Sequence, residues 1–347
     1  MSAFNTTALA ALLGAYCRDN KEELYTRIVL GLFDDVPWMK NNVAGHGILD
    51  RFTFMEGVTD EVPLPRMDVS EIVKPGHQPG DATFTGSPDK IKFAARVLKV
   101  RDWSVDLVLD PKYLEKTWLA MNKQLGSWAG KFTKAPAFGN IQPEEFMIKA
   151  VIKAAHRDIR MKALFGGVYN ATGNASADIV NGWFKLTADA ITAGELAPTV
   201  TGAITATNVE DKLLMVYDSL SEEFKADETQ MLVNATIFDW YARKNKPTIV
   251  KDPGIPGQQP GMGRMYLYGT NCELKREPGA GASQRVICTP VANMVFGMDS
   301  RDEYTNVDVE KFERTIKLMM DGKIGLNFRD VGDGTANHRP LAVNDAA

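Results

Sequence analysis

From Gln142 to Phe165 the chain reads QPEEFMIKAVIKAAHRDIRMKALF, the longest uninterrupted helical signal in the sequence. Ile148, Ile152, Ala155 and Ile159 recur at helical spacing and lay one apolar stripe along a rod. Pro143 suits a first helical residue, and Glu144 and Glu145 put negative charge in the first turn. Arg157, Arg160 and Lys162 bring positive charge to the far end, and Gly166-Gly167 stop the helix. At about 1.5 Å per residue such a rod spans roughly 35 Å. A helix of that length must be the stiff axis of whatever surrounds it.

The surroundings have ordinary composition. The 347 residues are 44% hydrophobic and 24% charged, enough for roughly two domains or one elaborated domain. A formal net charge of −4 provides no global basic field for wrapping nucleic acid. The three cysteines, Cys17, Cys272 and Cys288, are too few and too scattered for a disulfide framework or a zinc cluster, which fits a reducing compartment. No secretory pattern opens the chain, and no stretch approaches the roughly 18 apolar residues of a membrane span. The expectation is a soluble chain.

Taken in order, residues 1–45 mix short helical pieces with polar breaks and read as a peripheral arm. Leu49, Phe52 and Phe54 begin a strand. A Pro/Gly-rich linker of more than thirty residues follows, with Pro63, Pro65, Pro75 and Pro79 among its breaks. Ile91, Phe93, Ala95 and Val97 then alternate, and so do Trp103, Val105, Leu107 and Leu109. Two β arms around so long a loop have no core of their own and need something external to stabilise them. Asp110-Pro111 opens a short helix ahead of the long one. Asn208 is placed to cap a second helix carrying Val209, Leu213, Val216, Leu220 and Phe224. Met231 to Val233 reads as a buried strand, Ile237 to Arg243 as a helix, Met265 to Tyr268 as a strand, with further short strands at Val286–Cys288 and Asn293–Gly297. Near the end, Asp321-Gly322 between alternating runs predicts a hairpin turn, and the tail from Gly332 reads as unstructured.

The search for chemistry finds no catalytic signature. There is no phosphate-binding G-x-x-x-x-G-K-[ST], no G-x-S-x-G and no H-E-x-x-H. The Gly-rich stretch 257–265 opens no apolar helix and reads as loop. His46, His77, His156 and His338 lack partners at metal-ligand spacing and read as solvated. Cys272 and Cys288 can lie close in space, but no His or acid motif frames either as a nucleophile. Glu144-Glu145 and Glu222-Glu223 are helix-supporting charges, and Trp103, Trp118, Trp128, Trp183 and Trp240 fill core. The expectation is no catalytic, cofactor-binding or metal residue, and no cofactor.

Four stretches carry a resemblance. IKFAARVLKVRDWSVDLVL looks like a β excursion running down to helices. QPEEFMIKAVIKAAHRDIRMKALFGGVYNAT looks like a spine helix with its stop. NVEDKLLMVYDSLSEEFKADETQMLVNATIFDWYARK looks like the first helix and central strand of an axial domain. VICTPVANMVFGMDS and TIKLMMDGKIGLNFRD look like the return into a peripheral domain. In this order the chain resembles the major capsid proteins of tailed bacteriophages, the Hong Kong 97-like fold family. The resemblance implies an α+β fold with an N-terminal arm over 1–45, an extended β excursion (E-loop) over 46–110 and a peripheral domain with the spine helix over 111–207. It further implies an axial α/β domain over 208–289, then return strands and tail over 290–347.

The resemblance also implies a structural protein that is not an enzyme. It would self-assemble into pentamers and hexamers of an icosahedral head, in the virion, after assembly in the host cytoplasm. It would enclose double-stranded DNA without sequence-specific binding and without a membrane. Portal and decoration proteins are its implied partners. No long coiled segment precedes the arm, which implies a separate scaffolding protein or none. Two other readings stand beside it: an encapsulin-type nanocompartment shell, which shares the resemblance, and an α/β enzyme with a site in loops 250–285. Gene neighbourhood separates the two shells, and small-ligand binding to a monomer or small oligomer would mark the enzyme. Replacing Ile152 with Asp is expected to abolish soluble subunit or particle formation by burying a charge against the sheet; normal particles from that variant would show that the stripe is not buried.

Overall fold

The computed structural model describes residues 51–69, 91–109, 151, 154–155, 157–245, 265–299, 307–312, 315–334 and 338–346. Among the described residues twelve strands form two sheets and a ribbon. The first sheet joins β1 (Thr53–Met55), β4 (Arg101–Leu109), β9 (Met294–Met298), β10 (Val307–Phe312) and β11 (Thr315–Phe328). The second runs in the order β12 (Ala342–Val343), β8 (Ile287–Pro290), β5 (Thr229–Asn234), β7 (Glu273–Glu277), β6 (Met265–Tyr266). The ribbon pairs β2 (Glu61–Val69) antiparallel with β3 (Ile91–Lys99). Four helices complete the described chain: α1 (Trp183–Thr192), α2 (Val209–Asp218), α3 (Glu222–Lys225) and α4 (Ala235–Lys244). Mixed sheets with a few helices make the fold α+β.

The second sheet divides the apolar interior in two. One of its faces, with Met231, Val233, Leu274 and Cys288, packs on α2 and α4 through Leu213, Val216, Ile237 and Tyr241. The opposite face, with Leu232, Ile287 and Val343, joins a larger cluster that includes Ile159, Trp183, Phe296, Leu318 and Phe328. Trp183 is fully buried, stacked on Phe52 at 5.3 Å between ring centroids and 4.9 Å from Phe328. Trp103 is also buried, as its alternation implied, while Trp118 and Trp128 lie outside the described residues.

The described end of the expected long helix packs into the larger cluster. Val151 packs against the larger cluster and Ile159 is buried within it; Ile148 and Ile152 lie outside the described residues. The last turn, Ile159–Ala163, is π-helical, with Leu164 N–H donating to the Ile159 carbonyl at 3.1 Å. The glycine stop is steric as well as conformational: a Cβ at Gly167 would press on the Ala163 carbonyl oxygen and lie 2.5 Å from that of Val180.

Several sequence expectations are corrected. β11 runs straight through Asp321-Gly322, where Ser104 and Trp103 of β4 pair with them, and the strand β10 ends at Phe312 before β11 begins at Thr315. The phase of the alternation explains this. A two-residue turn at 321–322 would place Lys323, Gly325 and Asn327 on the face of Ile316, Leu318 and Met320. The apolar residues are instead Ile324, Leu326 and Phe328, in unbroken period two with the first three. Pro63 and Pro65 belong to strand β2 rather than to a linker, because a ladder tolerates Pro where its N–H would point away from the partner, and residues two apart share that edge.

The tail is ordered too. Leu341 to Asn344 are fully buried and β12 pairs with β8, stitched by Thr199 N–H donating to the Val343 carbonyl and Val286 N–H donating to Asn344 Oδ1. Asn208 holds the N-cap position of α2 but its side chain makes no capping bond; its Oδ1 accepts instead from Thr205 N–H at 2.7 Å, upstream of the helix. The Leu220–Phe224 end of that expected stripe falls past α2, which stops at Asp218, and the short α3 follows. Asn234 is a true cap, accepting from Ile237 N–H at 2.7 Å to start α4. α1 has no clear signal in the sequence.

Gly167→Ala should destabilise the subunit by about 1–3 kcal/mol, the cost of overpacking against backbone that has no side chain to move; urea unfolding of the soluble subunit measures it, and an unchanged midpoint would mean the helix end is not clamped.

Candidate interaction surface

The ribbon has two unlike faces. Register pairs Pro63 with Val97, Pro65 with Ala95 and Glu61 with Lys99, and paired residues share a face. All six are exposed, Val97 at 42%. The other face carries Leu64 and Leu98, both buried, between partly buried Val62, Arg66 and Arg96. The alternation that marked Ala95 and Val97 as apolar therefore marks the outward face, and the body is met by the residues between them. Pairing continues along the backbone to Val69↔Ile91.

The inward face is seated on the first sheet at a pair of glycines. Gly297 of β9 and Gly325 of β11 are directly paired. A Cβ at Gly297 would fall 2.6 Å from the Leu98 side chain, and one at Gly325 would fall 2.5 Å from the Lys99 carbonyl oxygen and 2.9 Å from Val100. Leu64, Leu98 and Val100 close over Val58 and Val295 there as a separate small cluster. Polar contacts fix the seat. Asn327 Nδ2 donates to the Val97 carbonyl at 2.8 Å, Arg96 meets Glu195 at 2.6 Å and Arg66 meets Asp330 at 2.9 Å. Asp330 is shared with His338 at 2.7 Å, so the histidine read as solvated is a paired, mostly buried one.

A second polar junction ties the body together. Glu277, fully buried at the end of β7, forms an ion pair with Arg51 and lies 3.9 Å from Arg160 of the π-helical turn. Gln230 Nε2 donates to the Arg51 carbonyl, and Arg51 Nη1 to the Arg276 carbonyl. Elsewhere, burial lowers the basicity of Arg285 and Arg339, which donate to backbone carbonyls of Phe184 and Ala346 and of Ala197 respectively. Burial raises the Tyr241 hydroxyl, which donates to the Tyr266 carbonyl.

The residues weighed for chemistry do not converge on one place. His46, His77, His156, Cys17, Glu144, Glu145 and most of loop 257–265 lie outside the described residues. Glu222 is in the short α3, paired at 2.7 Å with Lys225. Cys272 and Cys288 are brought together, Sγ to Sγ at 3.8 Å, both fully buried. Among the described residues no group of three or more His, Cys, Asp or Glu is placed to hold a metal ion, and no helix is long and apolar enough to cross a membrane. One small cavity of about 150 Å³ lies beside the seat, between Glu195, Val331, Gly332, His338 and Arg339.

Removing the Glu277 carboxylate as Glu277→Ala leaves two buried guanidinium groups without it and should cost about 3–5 kcal/mol, read as a lower thermal unfolding midpoint; a midpoint within error of the parent would show the junction to be inert. Gly325→Val should lift the ribbon base, giving faster proteolysis within residues 60–100 while the rest stays protected; equal protection of the ribbon would refute the seat.

No protein-family model matches the chain, and no curated protein sequence matches it. Solved structures of similar shape include a chain of the satellite phage P4 procapsid including size determination (Sid) protein, at 13% identity over 84% of this chain and 92% of that one, with a TM-score of 0.47. Mycobacterium phage Adephagia provides another, at 12% identity over 90% and 94%, with a TM-score of 0.47. The capsid of Myoviridae phage XM1 provides a third, at 12% identity over 83% and 86%, with a TM-score of 0.45.

Proposed function

We propose that this chain is a shell-forming structural protein, the major capsid protein of a tailed bacteriophage, whose copies associate as pentamers and hexamers of an icosahedral head around double-stranded DNA. The observation that carries the reading is the ribbon: a β excursion seated at its base on the body, with the apolar residues Pro63, Pro65, Ala95 and Val97 turned outward. A two-stranded ribbon is marginal in water by itself, and an outward apolar face gains from burial on a neighbouring copy. The ordered resemblance of the sequence to tailed-phage capsid proteins supports the same reading. In this reading 46–110 is the excursion, 111–207 with 290–347 the peripheral part, and 208–289 the axial part.

The body suits that role. Ion pairs and glycine contacts fix the helix end, the first sheet and the second sheet against one another, giving a rigid piece that repeated small contacts can tile. A net charge of −4 suits a container that does not grip its DNA, since tight phosphate binding needs a basic face. A separate scaffolding protein, a portal and decoration proteins belong to the proposal as partners, and the virion is its location.

Electron microscopy of the purified protein, alone and with a co-expressed scaffold, tests the proposal; closed particles are expected, and a compact monomer under every condition would overturn it. Val97→Asp leaves the folded subunit intact by circular dichroism, because the residue is exposed, but should reduce particle yield at least tenfold. Undiminished particle yield would remove the ribbon face from the assembly surface.

A further inference from the structure

Cys272 and Cys288 lie on the face of the second sheet that packs on α2 and α4. Cys272 immediately precedes β7 and Cys288 is in β8, with β5 running between the two strands. Both side chains are fully buried, both thiols are free, and their sulfurs face each other at 3.8 Å. Two strand spacings separate their backbones by about 10 Å, beyond the roughly 7 Å within which a disulfide can close. The pair can therefore bridge only through an intervening atom.

We propose that Cys272 and Cys288 form a two-coordinate site for a soft, thiophilic divalent d10 ion. With metal–sulfur bonds of about 2.3 Å, a linear bridge sets the sulfurs ~4.6 Å apart. That asks the thiols to separate by less than 1 Å, whereas a disulfide asks them to close to about 2.05 Å across an intervening strand. The charge balance selects the ion. Two thiols bind it by forming two metal–sulfur bonds and releasing two protons to solvent, with no change in oxidation state, so a divalent ion leaves a neutral unit in an apolar cluster. A monovalent ion would leave a buried negative charge, which the surrounding Val216, Met231 and Met265 do not compensate. Zinc is excluded by its need for about four ligands, since no group of three or more His, Cys, Asp or Glu is placed to hold a metal among the described residues.

Two neighbours suit the site. Met231 stands directly opposite Cys288 in the ladder and is fully buried, adding a soft thioether side chain to the same face. Thr229, two residues earlier on that face, is fully buried with its hydroxyl unpartnered, a polar group with nothing yet to meet. Burial, and then the hydrogen bond and proximity of Cys272, push the Cys288 thiol well up, so it is no poised nucleophile.

The test uses mercuric chloride as probe and the full chain carrying Cys17→Ser, so that the pair holds its only thiols. The protein is exposed to one equivalent both natively and during refolding from urea, washed with excess glutathione and weighed intact. The expected result is one mercury per chain, with a mass gain of one metal less two protons, and a mercury–thiolate absorption band that a zinc control lacks. Adding Cys272→Ala or Cys288→Ala should reduce retention at least tenfold. If those variants do not fold, the mass and band of the two-thiol chain still decide the question. No retained mercury in either regime, equal retention by a folded single-thiol variant, or closure to an intramolecular disulfide under diamide would each overturn the assignment.

Discussion

One buried carboxylate sets how the two sheets and the described end of the helix meet. Glu277 ends β7, Arg51 lies two residues before the first sheet's β1, and Arg160 lies in the π-helical turn Ile159–Ala163, so a single anion joins the two sheets and the helix end. A buried carboxylate of this kind is costly unless it is paired, and removing either kind of partner strands the other. The same logic extends along β7, where buried Glu273 and Lys275 stand 3.5 Å apart on the face shared with Glu277 while Leu274 fills the opposite cluster. The second sheet thus meets α2 and α4 through hydrocarbon and part of the remaining body through charge. Hydrocarbon contacts tolerate sliding; paired charges at a fixed spacing do not, and that makes the junction a fixed angle rather than a soft seam.

The ribbon is positioned by a different device. Its base lies flat because Gly297 and Gly325 leave no side chain between the first sheet and the Leu98–Val100 backbone. Dispersion there falls off within an ångström of separation, so the seat needs contact at that distance, and the Arg66–Asp330 and Arg96–Glu195 pairs hold it sideways. The Arg96–Glu195 pair is partly exposed and weak, whereas Arg66–Asp330 is mostly buried. Their use is directional: both arginines leave the inward face, so the ribbon docks one way round.

Much of this could be read in the sequence, and the failures have physical causes. The alternations of β3 and β4, the buried Met231–Val233 strand, the helix over 237–243 and the glycine stop are local signals that the packing kept. Asp321-Gly322 is a strong local turn signal, but the phase of the residues around it, which burial enforces, overrides it. The tail failed because Leu341–Val343 is too short to announce a strand, yet a sheet edge needs only two residues to pair. α1 was missed because its buried stripe is Trp183, Thr187 and Ala190, and Thr187 hides the period; its hydroxyl donates to the Phe184 carbonyl, which is how it is tolerated inside. The Glu277 junction was illegible in principle, because charges at 273, 275 and 277 look like a solvated edge until the partners arriving from Arg51 and Arg160 are placed.

The ribbon's two prolines connect the fold to its proposed use. An unpaired strand edge invites any other strand to add to it, and proteins blunt such edges with proline. Among the described residues β2 pairs only with β3, and Pro63 and Pro65 remove donors from its other edge. On the β3 side, the Val97 carbonyl is already taken by Asn327. Edge-on growth, which would join copies without limit, is disfavoured along the base of the ribbon, while its apolar face stays open. A face differs from an edge in having a shape and a definite set of side chains, so it can select one complementary surface at one angle. Closed assemblies depend on that selectivity, since a contact whose rotation closes makes a ring and one whose rotation does not yields a fibre.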